Sequence, residues 1–243
     1  MSRNELIKRY VIFLIGLAFT SFGIALVTKA SLGTSPMTSI PYALSLIIPR
    51  LSIGHWTVLF SLFLILLQLV MLRKEANKIE ILLQVVIAFA FGYLIDVAMF
   101  FLRSFFPVAY GIKIASLILG SFIVAIGVSL QLIANVVMVP ADAFVRTITI
   151  VSKKKYGNIR VCSDMSMALT GAILCLVFLG ELTGVREGTI IAAICVGNMV
   201  KLIRKSIDIL QARITLRSEK LENDEREQIT IMQRNSAEES QTA

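Results

Sequence analysis

Four ionisable side chains interrupt apolar stretches of the 243-residue chain, and they are the groups that could do chemistry there: Asp96, Asp142, Arg146 and Asp164. A charge in hydrocarbon is costly, and is kept where it faces a polar cavity, a partner or a moving ion. Asp142 and Arg146 stand four apart, acid first, the favoured order for a pair on one helix face. Asp96 lies about two-thirds along an apolar run, where a polar cavity, the bundle interior or a partner such as Arg146 would stabilise it. Asp164 follows Arg160 by one helical turn, which offers local pairing. The chemistry open to these carboxylates is binding or exchange of a proton or an ion. Asp96, Asp142 and Asp164 are therefore the candidates for coupling.

Other chemistries lack their residue patterns. There is no H-E-x-x-H and no G-x-S-x-G with a histidine base, and the single histidine, His55, falls near a membrane edge. No enzyme activity is expected. Cys162, Cys175 and Cys195 all lie in apolar runs, so neither a disulfide framework nor metal-ligand spacing is formed. No metal, no cofactor and no ATP-binding P-loop is expected.

The elements that must position these groups are hydrophobic. The chain is 56% hydrophobic and only 16% charged, against about 25% charged in soluble domains. It reads as an integral, all-α membrane protein with the lipid bilayer as its first partner. Six runs can span the bilayer, at roughly residues 10–30, 55–72, 81–102, 112–134, 159–180 and 188–204. The first is too long for the core of a cleavable signal peptide. The net charge of +8 does not point to nucleic acid, because the basic residues sit in the connections between spans. Arg3, Lys8 and Arg9, then Arg73, Lys74 and Lys78, then Lys153–Lys155 with Arg160, then Lys201, Arg204 and Lys205 share one side. The other side holds only Lys29, Arg50, Arg103, Lys113 and Arg186. By the positive-inside rule both termini face the cytoplasm of a plasma-membrane protein.

Between the first two spans runs Lys29-Ala30-Ser31-Leu32-Gly33-Thr34-Ser35-Pro36, followed by a 12-residue apolar stretch, Met37 to Ile48, too short to cross. A second copy lies 104 residues on, as Asn135-Val136-Val137-Met138-Val139-Pro140-Ala141-Asp142 and then Ala143 to Val151. Gly16 and Gly120, Gly23 and Gly127, Ala30 and Ala134, and Pro36 and Pro140 all agree at that one offset. Gly54 with Gly157 and Gly92 with Gly197 continue the repeat at offsets of 103 and 105. Each half has three spans, an odd number, so tandem copies insert upside down relative to each other. The expectation is two inverted repeats, residues 8–104 and 111–206, each with a short helix that either re-enters the bilayer or lies along its surface. Proline suits the first turn of each.

Substrate-pathway candidates follow from that geometry: Gly33, Ser35, Pro36 and Thr38 in the first half, and Asn135, Pro140, Asp142 and Arg146 in the second. Short helices starting near the midplane would present unpaired N–H groups to an anionic or carbonyl-bearing solute. Asp142 opposes that field, so a cation or proton is equally permitted. Lys29 can snorkel to the interface, and Gln131, Asn135 and Asn198 suit interhelical hydrogen bonds. Residues 206–243 change character, reading as a charged helix extension followed by a polar, disordered tail.

With Gly16, Gly23, the run Lys29 to Pro36 and Gly54 assembled, the sequence resembles the YczE/YyaS/YitT family of bacterial membrane proteins over most of residues 10–205. The resemblance implies a multi-pass plasma-membrane protein and does not name a substrate. Val137, standing where Gly33 does, departs from the motif. The expected function is a small-solute transporter or permease with a midplane site between the repeats. The alternative is a membrane adaptor or substrate-capturing subunit. A homo-oligomer or a partner subunit is open to either.

Overall fold

The computed structural model describes residues 3–73, 77–182, 184, 186, 188–193 and 195–200. Among these residues every regular element is a helix and there is no strand. The long ones are α1 (Arg3–Lys29), α3 (Ile53–Leu72), α4 (Lys78–Phe101), α5 (Tyr110–Ala134) and α7 (Tyr156–Leu179). The short ones are α2 (Ser39–Ile47), preceded by a 3-10 turn at Pro36–Thr38, and α6 (Pro140–Ser152). Five helices are thus long and apolar enough to cross a membrane, and the chain is a multi-pass membrane protein. The expected sixth span is described only as a shorter apolar helix, Gly188–Val200, and its continuation lies outside the described residues. So do residues 206–243, with the tail read from their composition.

Local sequence sets the boundaries. Asn77 accepts from the Ile79 N–H at 3.1 Å to start α4, and Ser52 accepts from the His55 N–H at 3.2 Å to start α3. Pro140 opens α6 where no intrahelical N–H is needed. Gly180, at φ +73°, closes α7. Ser31 and Asn135 end α1 and α5 alike, at φ +56° and +45°.

Outward faces are as apolar as the interior. Leu59, Phe63, Leu66 and Val70 form an exposed stripe on α3, as do Leu169, Ile173 and Val177 on α7. Stripes of this extent have no place in water and match hydrocarbon.

The most extensive packing joins α1 to α5, antiparallel and almost backbone to backbone. A methyl group on Gly16 would sit 2.8 Å from the Gly127 carbonyl oxygen, and one on Gly127 2.6 Å from that of Gly16. Gly23 and Gly120 meet the same way, at 2.7 and 3.0 Å. Small residues permit such contact in membranes, where van der Waals packing drives association. Gln131 Nε2 adds an interhelical bond to Thr20 Oγ1 at 2.8 Å. Gly127→Val is expected to abolish monodisperse, detergent-solubilised protein, because the methyls meet backbone that cannot yield. Gly157→Ala, at a glycine with open space around it, should leave yield unchanged. Equal size-exclusion profiles for the two variants would contradict this packing.

The second half does not copy the first throughout. Gly54 and Gly92 bring α3 against α4, whereas a Cβ at Gly157 or Gly197, their sequence counterparts, would meet nothing within 4 Å among the described residues. Gly33 adopts φ +125° because its backbone packs on Thr189, whose hydroxyl would lie 2.4 Å from any Cβ. The positive φ values of the second link stop at Asn135, so Val137 fits without glycine's freedom. Val137 packs against the main apolar core instead.

Candidate functional site

Each short helix lies between two long ones. α2 packs on α7 and α3, and α6 packs on α3, α7 and α4. Ser39, the first residue of α2, touches Gly171, where a Cβ would lie 2.8 Å away. Gly171 is eight residues before the end of α7, about 12 Å along its axis. The Pro140 carbonyl, at the first residue of α6, accepts from buried Gln68 Nε2 of α3 at 3.2 Å. The opening turns of the two short helices converge on one apolar cluster. Met37, Ile40, Ala141 and Phe144 pack there against Leu64 of α3 and Met167 of α7. A midplane site between the repeats is the expectation; where the short helices converge, the structure places apolar side chains.

The charged network sits beside that cluster. Arg160 of α7 pairs with Asp142 of α6, and its Nε donates to Asp164 Oδ2 at 3.0 Å. The same guanidinium lies 3.2 Å from the Met37 sulfur and so touches the opposite half of the chain. The expected Asp142–Arg146 pair is not formed. Arg146 instead faces outward and reaches Glu80 Oε1 of α4 at 3.5 Å. The reason is burial. Asp142 points to the enclosed α7 side of α6, where Arg160 arrives through the α6–α7 turn, while Arg146 stays half exposed. The Arg160–Asp164 pairing one turn apart is as the spacing suggested.

Asp96 is placed elsewhere, and not against Arg146. Its carboxylate accepts from the Gly54 N–H at 2.9 Å and from Ser52 Oγ at 2.6 Å, with His55 Nδ1 at 3.4 Å. The close approach at Gly92 and Gly54 lets a side chain of α4 serve the unpaired amides at the start of α3. Asp96→Ala should cost about 1–2 kcal/mol of stability through that lost cap. Thermal melts in detergent would check it, and an unchanged midpoint would refute the capping role.

Of the remaining candidates, Gly33, Ser35, Pro36 and Thr38 are packed into the protein. The Ser35 carbonyl accepts from Thr38 Oγ1 and Ser39 Oγ, and buried Thr34 links Thr28 to Thr38 through its hydroxyl. The Thr34 N–H donates to Thr189 Oγ1, and the Leu32 carbonyl accepts from the Gly188 N–H. Lys29 extends over the Phe106 ring, 4.7 Å away. Asn198 is exposed. Asn135, Asp142 and Arg146 do come together, with Glu80 and Gln131, around a cavity of about 100 Å³. It opens at the end of the bundle where α4 begins and α5 ends. A larger cavity, about 390 Å³, opens at the other end, where α5 begins and α7 ends.

Arg160 and Glu80 were not singled out from the sequence as site residues. For Arg160 the signal was half visible, in its spacing to Asp164. Its reach to Asp142, 18 residues away, depends on α6 folding back against α7.

A family model described as "Family of unknown function (DUF6198)" matches residues 7–205. The "Uncharacterized protein YyaS" of Bacillus subtilis (strain 168) is 28% identical over 195 residues, covering 79% of this chain and 90% of that protein. That similarity agrees with the resemblance drawn from Gly16, Gly23 and the Lys29 to Pro36 run. No solved structure matches the chain.

Proposed function

The chain belongs to the DUF6198 family of unknown function, and from that premise we propose that it is a small-solute permease built from two inverted repeats around an apolar plug. The carrying observation is reciprocal seating. α2, from the first half, sits on α7 of the second, and α6, from the second, sits on α3 of the first. Under the 104-residue offset, the contact of Gly16 with Gly127 becomes that of Gly120 with Gly23, and both are made. Exchanged contacts of this kind are the signature of a two-fold relation. The central cluster follows it: Met37 answers Ala141 and Ile40 answers Phe144 at an offset of 104, and Leu64 answers Met167 at 103. Gly171 and Gln68, where the short helices begin, are related by the neighbouring offset of 103.

That depth supports two re-entrant helices, one from each membrane face, over two amphipathic helices on the surface. Irregular backbone at membrane depth is tolerated where protein buries it, as it buries Leu32, Gly33 and Thr34. The cavities at the two ends become mouths, and the cluster between them closes the path. Rocking of α2 and α3 against α6 and α7 about the α1–α5 pair, which stays in register, would part Met37 and Ile40 from Ala141 and Phe144 and open the two mouths in turn. The Asp142–Arg160–Asp164 network bridges α6 and α7 and touches Met37, so a proton or ion taken up there would bias the rocking. The basic bias puts the Lys153 end in the cytoplasm.

The test is flux. Proteoliposomes of the full chain, screened with small solutes with and without a pH gradient, should accumulate at least one of them. Asp142→Asn should abolish that uptake at unchanged abundance. Cysteines placed at positions 35 and 139 should be shielded from membrane-impermeant reagents, and free labelling of both would overturn re-entry.

A further inference from the structure

Among the described residues, the charged side chains that line the larger cavity are Lys113 and Arg186. The cavity is lined by Ser31, Tyr42, Leu46, Lys113, Leu179 and Arg186. Among the described residues no carboxylate lines it, and Lys113 makes no ion pair among them. The remaining surfaces are two hydroxyls and an apolar wall formed by Leu46, Leu179 and the Tyr42 ring. At about 390 Å³ it falls within the roughly 300–1,000 Å³ typical of small-molecule sites.

The repeat marks the same positions independently. Ser31 and Asn135 are 104 apart, as are Tyr42 and Arg146. Each member of a pair lines one of the two cavities. Duplicated positions therefore shape both openings, while their side chains differ. The small cavity holds Glu80 and Asp142 with Arg146, and the large one holds Lys113 with Arg186.

We propose that the Lys113 cavity binds a small organic anion, a carboxylate with an apolar body, as the substrate class of the permease. Lys113 donates a charge-assisted hydrogen bond to the carboxylate, and such bonds are stronger than neutral ones. The Tyr42 hydroxyl donates a further bond, and the leucines cover the body of the ligand. An alkylammonium would meet like charge at the same place. This deepens the permease reading and rests on it for the word substrate, although the binding site itself does not.

The experiment is calorimetric titration of the full chain in nanodiscs of zwitterionic lipid, with benzoate, benzylammonium and inorganic phosphate as probes. Benzoate should bind and benzylammonium should not. Lys113→Gln should weaken benzoate at least tenfold, Lys113→Arg should restore most of it, and Lys154→Gln, at the far end, should leave it unchanged. No benzoate binding, or equal binding to Lys113→Gln, would overturn the proposal. So would phosphate binding as tightly as benzoate, since the apolar wall would then contribute nothing. A response only when anionic lipid is added would assign the cavity to a lipid headgroup and overturn it also. Because binding is read at equilibrium, benzoate affinity without flux would remove the permease reading and leave the site. Flux of other solutes without benzoate affinity would do the reverse.

Discussion

Arg160→Gln is expected to be the most damaging substitution of a single charged residue among those described. It strips the one cation that, among the described residues, pairs with Asp142 and Asp164, whose side chains are about one-quarter exposed. Two carboxylates then face one another in a site shielded from water, and removing one member of a buried ionic set costs roughly 3–5 kcal/mol. The partial exposure places this case near the lower figure, about 3 kcal/mol. The variant should give little folded protein, and what folds should not transport. Asp142→Asn combined with Asp164→Asn and Arg160→Gln removes all three charges together and should restore folding, because no unpaired charge is left. Restored folding without flux would assign the network to function as well as to stability. A single Arg160→Gln protein that melts like the parent would show that these charges are not coupled.

The second large effect concerns the plug. Leu64 is 3% exposed and Met167 5%, and they close the centre with the opening turns of α2 and α6. Leu64→Asn together with Met167→Asn should let water into that centre and join the two mouths. Proteoliposomes carrying the double variant should release encapsulated chloride at least tenfold faster than the parent. Leu64→Met, which conserves volume and polarity, should remain tight. A folded double variant that holds chloride as well as the parent would show that the cluster does not lie on the path.

Much of this architecture could be read from the residues, and the reasons differ by element. Hydropathy alone located five long helices, because a span must be apolar over a fixed length. Pro36 and Pro140 located the starts of the short helices to within a few residues, because the proline ring suits a first turn. The charge pairs were harder. An i,i+4 rule sees only one helix, so it proposed Asp142 with Arg146 and could not weigh Arg160 arriving from α7. Asp96 was read as a membrane-embedded acid because the sequence does not show that Gly54 and Gly92 bring the start of α3 to it. Tyr42, Leu46 and Leu179 carried no signal at all, being ordinary helix residues until α2, the start of α5 and the end of α7 enclose a volume between them.

The glycine contacts between α1 and α5 fix what can move. They fall seven residues apart on each helix, two full turns, and each is backbone against backbone. Sliding either helix by one residue would drive a side chain into a carbonyl oxygen, so the pair has a single register. Any large displacement during a working cycle is therefore left to α2, α3, α6 and α7, turning about a fixed axle. Spin labels on the exposed faces of α1 and α5 should keep one separation whatever the solute or pH, while labels on α2 and α6 report two.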